Sequence, residues 1–567
     1  METLSIYPTL ERFDLTQYTI TVSTEEEPSN GTESVKQDDV TSVTTDDAKS
    51  PKASDVPDPV SSVPTRLATS KEVSRTDCKS WSRWLFSRIT NVLEQTPAHI
   101  ALIDETGERQ YVTYEELMKE VYRVANFLLY HGVMKGARVA ICMSNSIEYI
   151  YYELALFLIG AVPILLNPTL VACGRFPRFQ CNVLVVSGEH YNHILRSMKD
   201  FVGVMQVFVL THDLGRLSIP RSALVIDAFG YREFYSEPPL ADYNDSADDV
   251  VAFSTSGTTS QKCKVVAHGS ASAHRLCTKY LDTLTEHLVE RVSESTTHHL
   301  IALVISQAQF LKSFLKYDLH KFYDISSLKV FSFTGSSLPI SVAKRFQEIC
   351  GTSVIQAYSS TECGPVSCDL LGSNEDEYPS SGEPFDGIKV KILDIDDDDK
   401  ELLTGEWGRI MLRSSVMYSR YLGERMNDSC ASDTWFPTGD IGMLDKQNRL
   451  HVAGPSDVLL RISGKPVIAV ILENALMAHP SIEDVVVANM NSHLAVGIVL
   501  RENANLPTID ELNSFIRERK IEMEPISKIV QVDFIPRSET GKLIRSEVLF
   551  LLQSEDDDQF LKSVESM

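Results

Sequence analysis

Between residues 110 and 210 short apolar runs alternate with segments of helical period, and this alternation constrains the fold more than any other feature. Val112-Thr113-Tyr114-Glu115-Glu116 reads as a strand end entering a helix, with Thr113 as N-cap and Glu116 at the capping-box spacing. That helix runs through Leu117, Val121, Val124 and Leu128 and ends near His131-Gly132. Arg138-Val139-Ala140-Ile141-Cys142 is a short run with the pattern of a strand buried on both faces. A second helix follows Asn145, a strand leads to Leu166-Asn167-Pro168, and Asn182 to Ser187 and Met205 to Leu210 are further apolar runs. Strands alternating with helices predict an α/β fold with mostly parallel sheets covered on both faces.

The chain divides by composition. Residues 1–78 are rich in Ser, Thr, Asp, Glu and Pro, with few large apolar residues at any period, and read as a disordered acidic tail. Helical spacing begins at Trp81, Trp84, Leu85, Ile89 and Val92. A large α/β domain is expected over 79–450. A small α+β domain is expected over 451–555, from Val485-Val486-Val487, Ala495 to Leu500 and a helix over Ile509 to Arg519. A second acidic tail covers 556–567. Asp396 to Asp399 and Asp556 to Asp558 lack the spaced oxygens and Gly of a calcium loop and read as solvated segments. The most apolar stretch, Tyr149 to Leu166, contains Glu153, Gly160 and Pro163; it reads as a buried helix running into a buried strand, so no transmembrane segment is expected.

Lys and Arg total 53 against 78 Asp and Glu, a formal charge of −25. That balance argues against a nucleic-acid partner, which needs clustered cations. The ten Cys form no C-x-x-C pair, so a reducing compartment is expected. Acids in the first thirty residues disfavour a signal or transit peptide, which makes cytoplasm the expected location. A peroxisomal location is the alternative, although Glu565-Ser566-Met567 makes a poor address. Oligomeric state is not readable.

Five loops carry the chemistry. Phe253-Ser254-Thr255-Ser256-Gly257-Thr258-Thr259-Ser260-Gln261-Lys262-Cys263-Lys264 follows the apolar Val250-Val251-Ala252. Small hydroxyl residues around a Gly expose backbone N–H groups and hydroxyls that suit phosphate oxygens, and a nearby Lys adds charge. It is not the P-loop pattern. Phe333-Thr334-Gly335-Ser336-Ser337-Leu338-Pro339 lies between a strand over Val330 to Phe333 and a helix. Tyr358-Ser359-Ser360-Thr361-Glu362 is read as a loop after the strand Val354-Ile355. Trp435 to Gly442 contains Asp440, and Ser538 to Arg545 presents Lys542 after Gly541.

With these loops in this order, residues 84–552 resemble the adenylate-forming superfamily of acyl-CoA synthetases, 4-coumarate–CoA ligases and beetle luciferases. The resemblance implies stacked, mostly parallel sheets in the large domain and an ATP-dependent acid–thiol ligase. A fatty or aromatic carboxylic acid is converted to an acyl-adenylate and then to an acyl-CoA thioester. It implies ATP, Mg2+ and coenzyme A. By motif match, Thr255, Ser256, Gly257, Thr258, Thr259 and Lys262 hold the ATP phosphates; Gly335, Ser336 and Ser337 line the adenine and acyl pocket. Tyr358 stacks on adenine, Thr361 contacts the α-phosphate, Glu362 ligates Mg2+ and Asp440 accepts the ribose hydroxyls. Lys542 meets the α-phosphate and carboxylate, and Gly464 meets the pantetheine arm.

The chain departs from that pattern in four places. The phosphate loop continues Ser260-Gln261-Lys262-Cys263-Lys264 in place of Gly-x-Pro-Lys-Gly, so the phosphate Lys is Lys262, Lys264 or neither. The stretch from His268 to Gly335 is short, and Ser270 to Leu300 has no counterpart. Ser359 replaces a Gly, and Ala453-Gly454-Pro455-Ser456-Asp457 replaces a hinge containing Asp-Arg. These departures keep open a second reading: a catalytically impaired nucleotide-binding relative, or a truncated gene model.

Overall fold

The structure, a computed structural model, describes residues 80–553 apart from 99, 105–109, 175–176, 212, 219, 221, 241–242, 244–248, 256–262, 276, 278–302, 307, 323–324, 326–327, 336–337, 372–377, 415–416, 424–433, 522, 538–542 and 546. Both acidic tails, Ser270 to Leu300 in its larger part, and the Lys542 loop lie outside the described residues.

The alternation seen in sequence builds an eight-stranded sheet. Its order is Arg420–Leu422, Val265–Gly269, Asp249–Ser254, Val162–Leu165, Arg138–Cys142, Val183–Ser187, Gln206–Leu210, Leu224–Asp227. The last six run parallel, and the first two add antiparallel. Successive residues of a strand point to opposite faces. Accordingly Val139 and Ile141 enter one core cluster with Val124, Leu128 and Tyr152. Ala140 and Cys142 enter another with Leu184, Val186 and Tyr191. Both faces are therefore covered, which is why these strands read as unbroken apolar runs.

The helix Tyr114–Tyr130 starts at the expected capping box: Glu116 N donates to Thr113 Oγ1 at 3.2 Å and Thr113 N donates to Glu116 Oε2 at 2.8 Å. The stretch Tyr149 to Leu166 is the helix Ile147–Leu158 running into the strand Val162–Leu165. Tyr152 on that helix is fully buried and donates its hydroxyl to Ala228 O at 2.7 Å. Among the described residues no helix is long and apolar enough to cross a membrane.

A second sheet orders Leu303–Ser306, Val330–Phe333, Ser353–Ser360 and Gly364–Leu370; the first three are parallel and the last antiparallel. One expectation is corrected here. Tyr358, Ser359 and Ser360 are strand, not loop, because Tyr358 pairs with Ser367 and Ser360 with Gly364. The turn that remains spans Thr361 to Cys363.

The third sheet, Ile388–Leu393, Gly408–Ser414, Phe436–Leu444 and Leu450–Pro455, is antiparallel. Asp440 pairs with Pro455 at its edge. The division expected between 450 and 451 falls at the head of this edge strand, so the pairing carries the larger lobe's sheet on to Pro455. The chain then crosses through the turn Ser456–Val458, with Val458 buried against Ile441 and Ala453.

Beyond it, Ile482–Met490, His493–Leu500 and Ile526–Gln531 form a mixed sheet. The helices Ala469–Leu476 and Ile509–Glu518 pack on it through Leu472, Leu476, Leu512 and Ile516. This smaller lobe meets the helix Ala308–Lys316 of the larger one through Lys316–Glu483 at 2.7 Å and Lys312–Asp484 at 3.9 Å.

Candidate functional site

The antiparallel strands Asp249–Ser254 and Val265–Gly269 form a hairpin whose connecting loop is the Ser/Thr/Gly run. Its base is closed by Thr255. Thr255 N donates to Lys264 O at 2.8 Å, and Lys264 N donates to Thr255 Oγ1 at 2.9 Å. Ser256, Gly257, Thr258, Thr259 and Lys262 lie outside the described residues.

Of the two candidate phosphate lysines, Lys264 is described. Its exposed side chain places Nζ 4.5 Å from the centre of the Tyr421 ring and 3.3 Å from the Tyr421 hydroxyl. That hydroxyl donates to Glu362 Oε1 at 3.0 Å. Burial, then the Glu362 charge, pushes the Tyr421 phenol far above its ordinary value, so it stays a donor. Tyr418, packed 4.7 Å from Tyr421, donates its N–H to Glu362 O at 2.8 Å. Glu362 is thus fixed at main chain and carboxylate by one short segment.

The turn holding Thr361 and Glu362 is gripped from the hairpin side as well. His268 Nε2 lies 2.7 Å from Thr361 O, and its Nδ1 lies 2.7 Å from Ser272 Oγ. Arg275 donates to Cys363 O and, at 3.4 Å, to Pro365 O. Cys363 N donates to Ser360 Oγ at 3.1 Å.

Tyr358 and Asp440 meet across the second and third sheets, with the Tyr358 hydroxyl 2.6 Å from Asp440 Oδ2. Tyr358 is 7% exposed, and burial together with the Asp440 charge holds its phenol protonated far beyond neutral pH. Asp440 N donates to Thr438 Oγ1 at 3.0 Å, which steadies the strand there. Gly335 is exposed with φ +88°, a backbone that side-chain-bearing residues rarely adopt. Beside it Thr334 Oγ1 lies 2.9 Å from Ser359 Oγ. Ser359, one of the departures in sequence, therefore ties the Gly335 loop to the Tyr358 strand; Ser336 and Ser337 lie outside the described residues.

Hydrogen bonds and ring contacts thus join Thr255, Lys264, Tyr421, Glu362, Thr361 and His268 in one chain, and Gly335 and Asp440 border the strand that leads into it. Gly464 takes no part. It is an exposed turn residue, φ +82°, in the smaller lobe's hairpin, with nothing within 4 Å of where a Cβ would stand. Lys542 lies outside the described residues. Motif reading missed Tyr421, Tyr418 and Arg275, and treated His268 as a landmark. Their contacts to the Thr361–Cys363 turn span 56 to 93 residues, so no local spacing signals them.

Among the described residues no group of three or more His, Cys, Asp or Glu forms a metal cage. A single carboxylate with one oxygen held by a phenol is instead a donor set that fits Mg2+, which keeps waters and takes substrate phosphates as further ligands.

The family model described as AMP-binding enzyme matches residues 89–303 and 281–422, more than half of the chain. The 2-succinylbenzoate–CoA ligase of Bacillus subtilis (strain 168) is 24% identical over 499 residues, covering 82% of this chain and 97% of that protein. The long-chain-fatty-acid–CoA ligase of Escherichia coli O157:H7 is 24% identical over 501 residues, covering 74% and 86%. Among solved structures, the anthranilate CoA ligase AuaEII in complex with anthranoyl-AMP superposes with a TM-score of 0.65 at 19% identity, covering 82% of this chain and 96% of that one.

Proposed function

The chain belongs to the AMP-binding enzyme family, and from that premise we propose that it is an acyl-CoA synthetase, an ATP-dependent ligase joining a carboxylic acid to coenzyme A. In the first step a carboxylate oxygen of the acid attacks the α-phosphorus of ATP, the bond to the β-phosphate bridging oxygen breaks and pyrophosphate leaves. In the second, the sulfur of coenzyme A attacks the acyl carbonyl, the acyl–oxygen bond to AMP breaks, and the thiol proton passes to solvent.

The chain's own groups divide this work. Thr255 and the hydroxyl run after it cradle the phosphates, with Lys262 or Lys264 adding positive charge. Thr361 contacts the α-phosphate. Tyr358 and the Gly335 loop border the adenine, and Asp440 takes the ribose hydroxyls. Lys542 brings a flexible ammonium to the reacting oxygens, and Gly464 stands where a pantetheine arm passes. Glu362 holds Mg2+, which neutralises charge on the phosphate oxygens.

The observation that carries this reading is the Lys264–Tyr421–Glu362 chain. It fixes a carboxylate at the exit of a hydroxyl-rich phosphate loop. The proposed substrate class is a fatty or aromatic carboxylic acid, in line with the acids named for the relatives. Fatty-acid and lipid metabolism is the broader assignment that follows for an alkyl acid. The eight described cysteines are all free, which supports a cytoplasmic location as part of the proposal.

The test is pyrophosphate release and thioester formation with ATP, Mg2+, coenzyme A and a panel of alkyl and aromatic acids. At least one acid is expected to drive both, and Lys542→Ala to abolish adenylation. No acid giving a rate above the Lys542→Ala control contradicts the proposal.

A further inference from the structure

We propose that His268 is a positioning residue for adenylation, setting the Thr361–Glu362 turn against the phosphate loop, with Arg275 as its second. The inference rests on the ligase reading above and assigns this role to a residue outside the phosphate, ribose and metal contacts.

His268 belongs to the strand that leaves the phosphate loop, four residues after Lys264. It is fully buried, pairs with Val251 of the neighbouring strand and lies edge-on to Phe253, ring centres 5.8 Å apart. Its place is therefore set by the same hairpin that carries the loop. Thr361 lies in the turn between two strands of a different sheet, 93 residues away.

The hydrogen bonds give the contact a direction. Thr361 O only accepts, so the Nε2 that lies 2.7 Å from it carries the proton. The neutral ring then has a bare Nδ1, which accepts from the Ser272 hydroxyl at 2.7 Å. The Thr361 carbonyl thus fixes the tautomer, and Ser272, by satisfying the other ring nitrogen, holds the ring's orientation.

The turn is held at successive carbonyls. His268 takes Thr361 O, Tyr418 takes Glu362 O, and Arg275 takes Cys363 O and Pro365 O. A Leu of similar bulk would fill the space beside Phe253 and leave the first carbonyl unheld. What the imidazole adds over packing is the orientation of the residue before Glu362.

The experiment compares His268→Leu, which keeps bulk without a donor, with His268→Gln, which keeps an N–H donor. Acid-dependent exchange of labelled pyrophosphate into ATP is measured at saturating and limiting ATP, beside thermal unfolding. His268→Leu is expected to lose about tenfold or more in kcat for exchange. His268→Gln is expected to recover most of that loss at an unfolding midpoint no higher than that of His268→Leu. Wild-type kcat in His268→Leu, or equal losses in the two variants, overturns the inference. If neither variant folds, Ser272→Ala retains the ring and is expected to lose a few-fold in kcat; an unchanged kcat then overturns it. Absence of exchange in the wild-type protein contradicts the ligase reading itself. The 15N shifts of the His268 ring in labelled wild-type protein then decide the contact alone: protonated Nε2 is expected, and protonated Nδ1 overturns it.

Discussion

The Tyr358 hydroxyl donates to Asp440 Oδ2 across 2.6 Å, tying the second sheet of the larger lobe to the third. The phenol is buried, so the contact both orients the carboxylate and satisfies a hydroxyl that water does not reach freely. Tyr358→Phe removes the donor and frees Asp440 to turn. KM for ATP is expected to rise about tenfold, within the range of a hydrogen bond to a charged group. Asp440→Ala is expected to cost more in stability than Tyr358→Phe, because it strands the buried hydroxyl instead of removing it. Thermal unfolding of the two variants side by side checks that order.

Among the described residues the Tyr421 hydroxyl is the side chain that donates to the Glu362 carboxylate, at 3.0 Å. In Tyr421→Phe that carboxylate loses its orienting donor while the ring that packs on Tyr418 stays. The magnesium concentration for half-maximal pyrophosphate release is expected to rise about tenfold, the usual effect of losing a group that orients a metal ligand. A magnesium titration of both proteins reads it; an unchanged half-point excludes this role for Tyr421.

Burial pushes the His268 imidazole down to about 4; nearby Arg275 acts in the same direction, while Thr361 O and Asp249 oppose it. In the unfolded chain an ordinary histidine titrates near 6.5, roughly. Between those values the unfolded chain binds a proton that the folded protein does not. Stability is therefore lost as pH falls through this window, by at most about 1.4 kcal/mol per pH unit from this group. Unfolding midpoints at closely spaced pH across the window are expected to slope less in His268→Gln than in the wild type. Equal slopes contradict the buried neutral ring.

The lobes touch through charge. Asp484 receives three bonds from Arg537, two from one terminal nitrogen at 2.9 Å and one from Nε at 3.3 Å, and faces Lys312, whereas Glu483 pairs with the exposed Lys316. Burial opposes ionisation of Asp484, yet Lys312 and Arg537 hold its carboxyl below the usual range. Asp484→Asn leaves two cations short of a partner and is expected to cost about 1–3 kcal/mol. Glu483→Gln is expected to cost under about 1 kcal/mol, as for exposed pairs. Thermal midpoints of the two variants measure the difference.

What the sequence disclosed follows from range. The strands Arg138–Cys142 and Val330–Phe333 match their expected ends, because a run buried on both faces is apolar at nearly every step, Arg138 and Ser332 apart. The Thr113 capping box is a contact over three residues and is equally legible. Tyr358 to Ser360 read as loop because what makes them strand is pairing with Gly364–Leu370, where a turn returns the chain. Thr361, Glu362 and Asp440 were legible as motifs. The groups that hold the Thr361–Glu362 turn arrive from elsewhere, His268 and Tyr421 from the eight-stranded sheet and Arg275 from the helical segment after it, and leave no periodic trace. Ser359 stood out as a departure, and its partner Thr334 became visible only once two parallel strands lay side by side.

Activity as a ligase requires these loops to converge on one adenylating site. Its most direct measurement is exchange of labelled pyrophosphate into ATP with Mg2+ and an acid from the panel, in the absence of coenzyme A. Exchange is expected to require the acid, to stop on chelation of magnesium, and to fall at least about a hundredfold in Glu362→Gln. Exchange indifferent to the acid, or equal in Glu362→Gln and wild type, contradicts it.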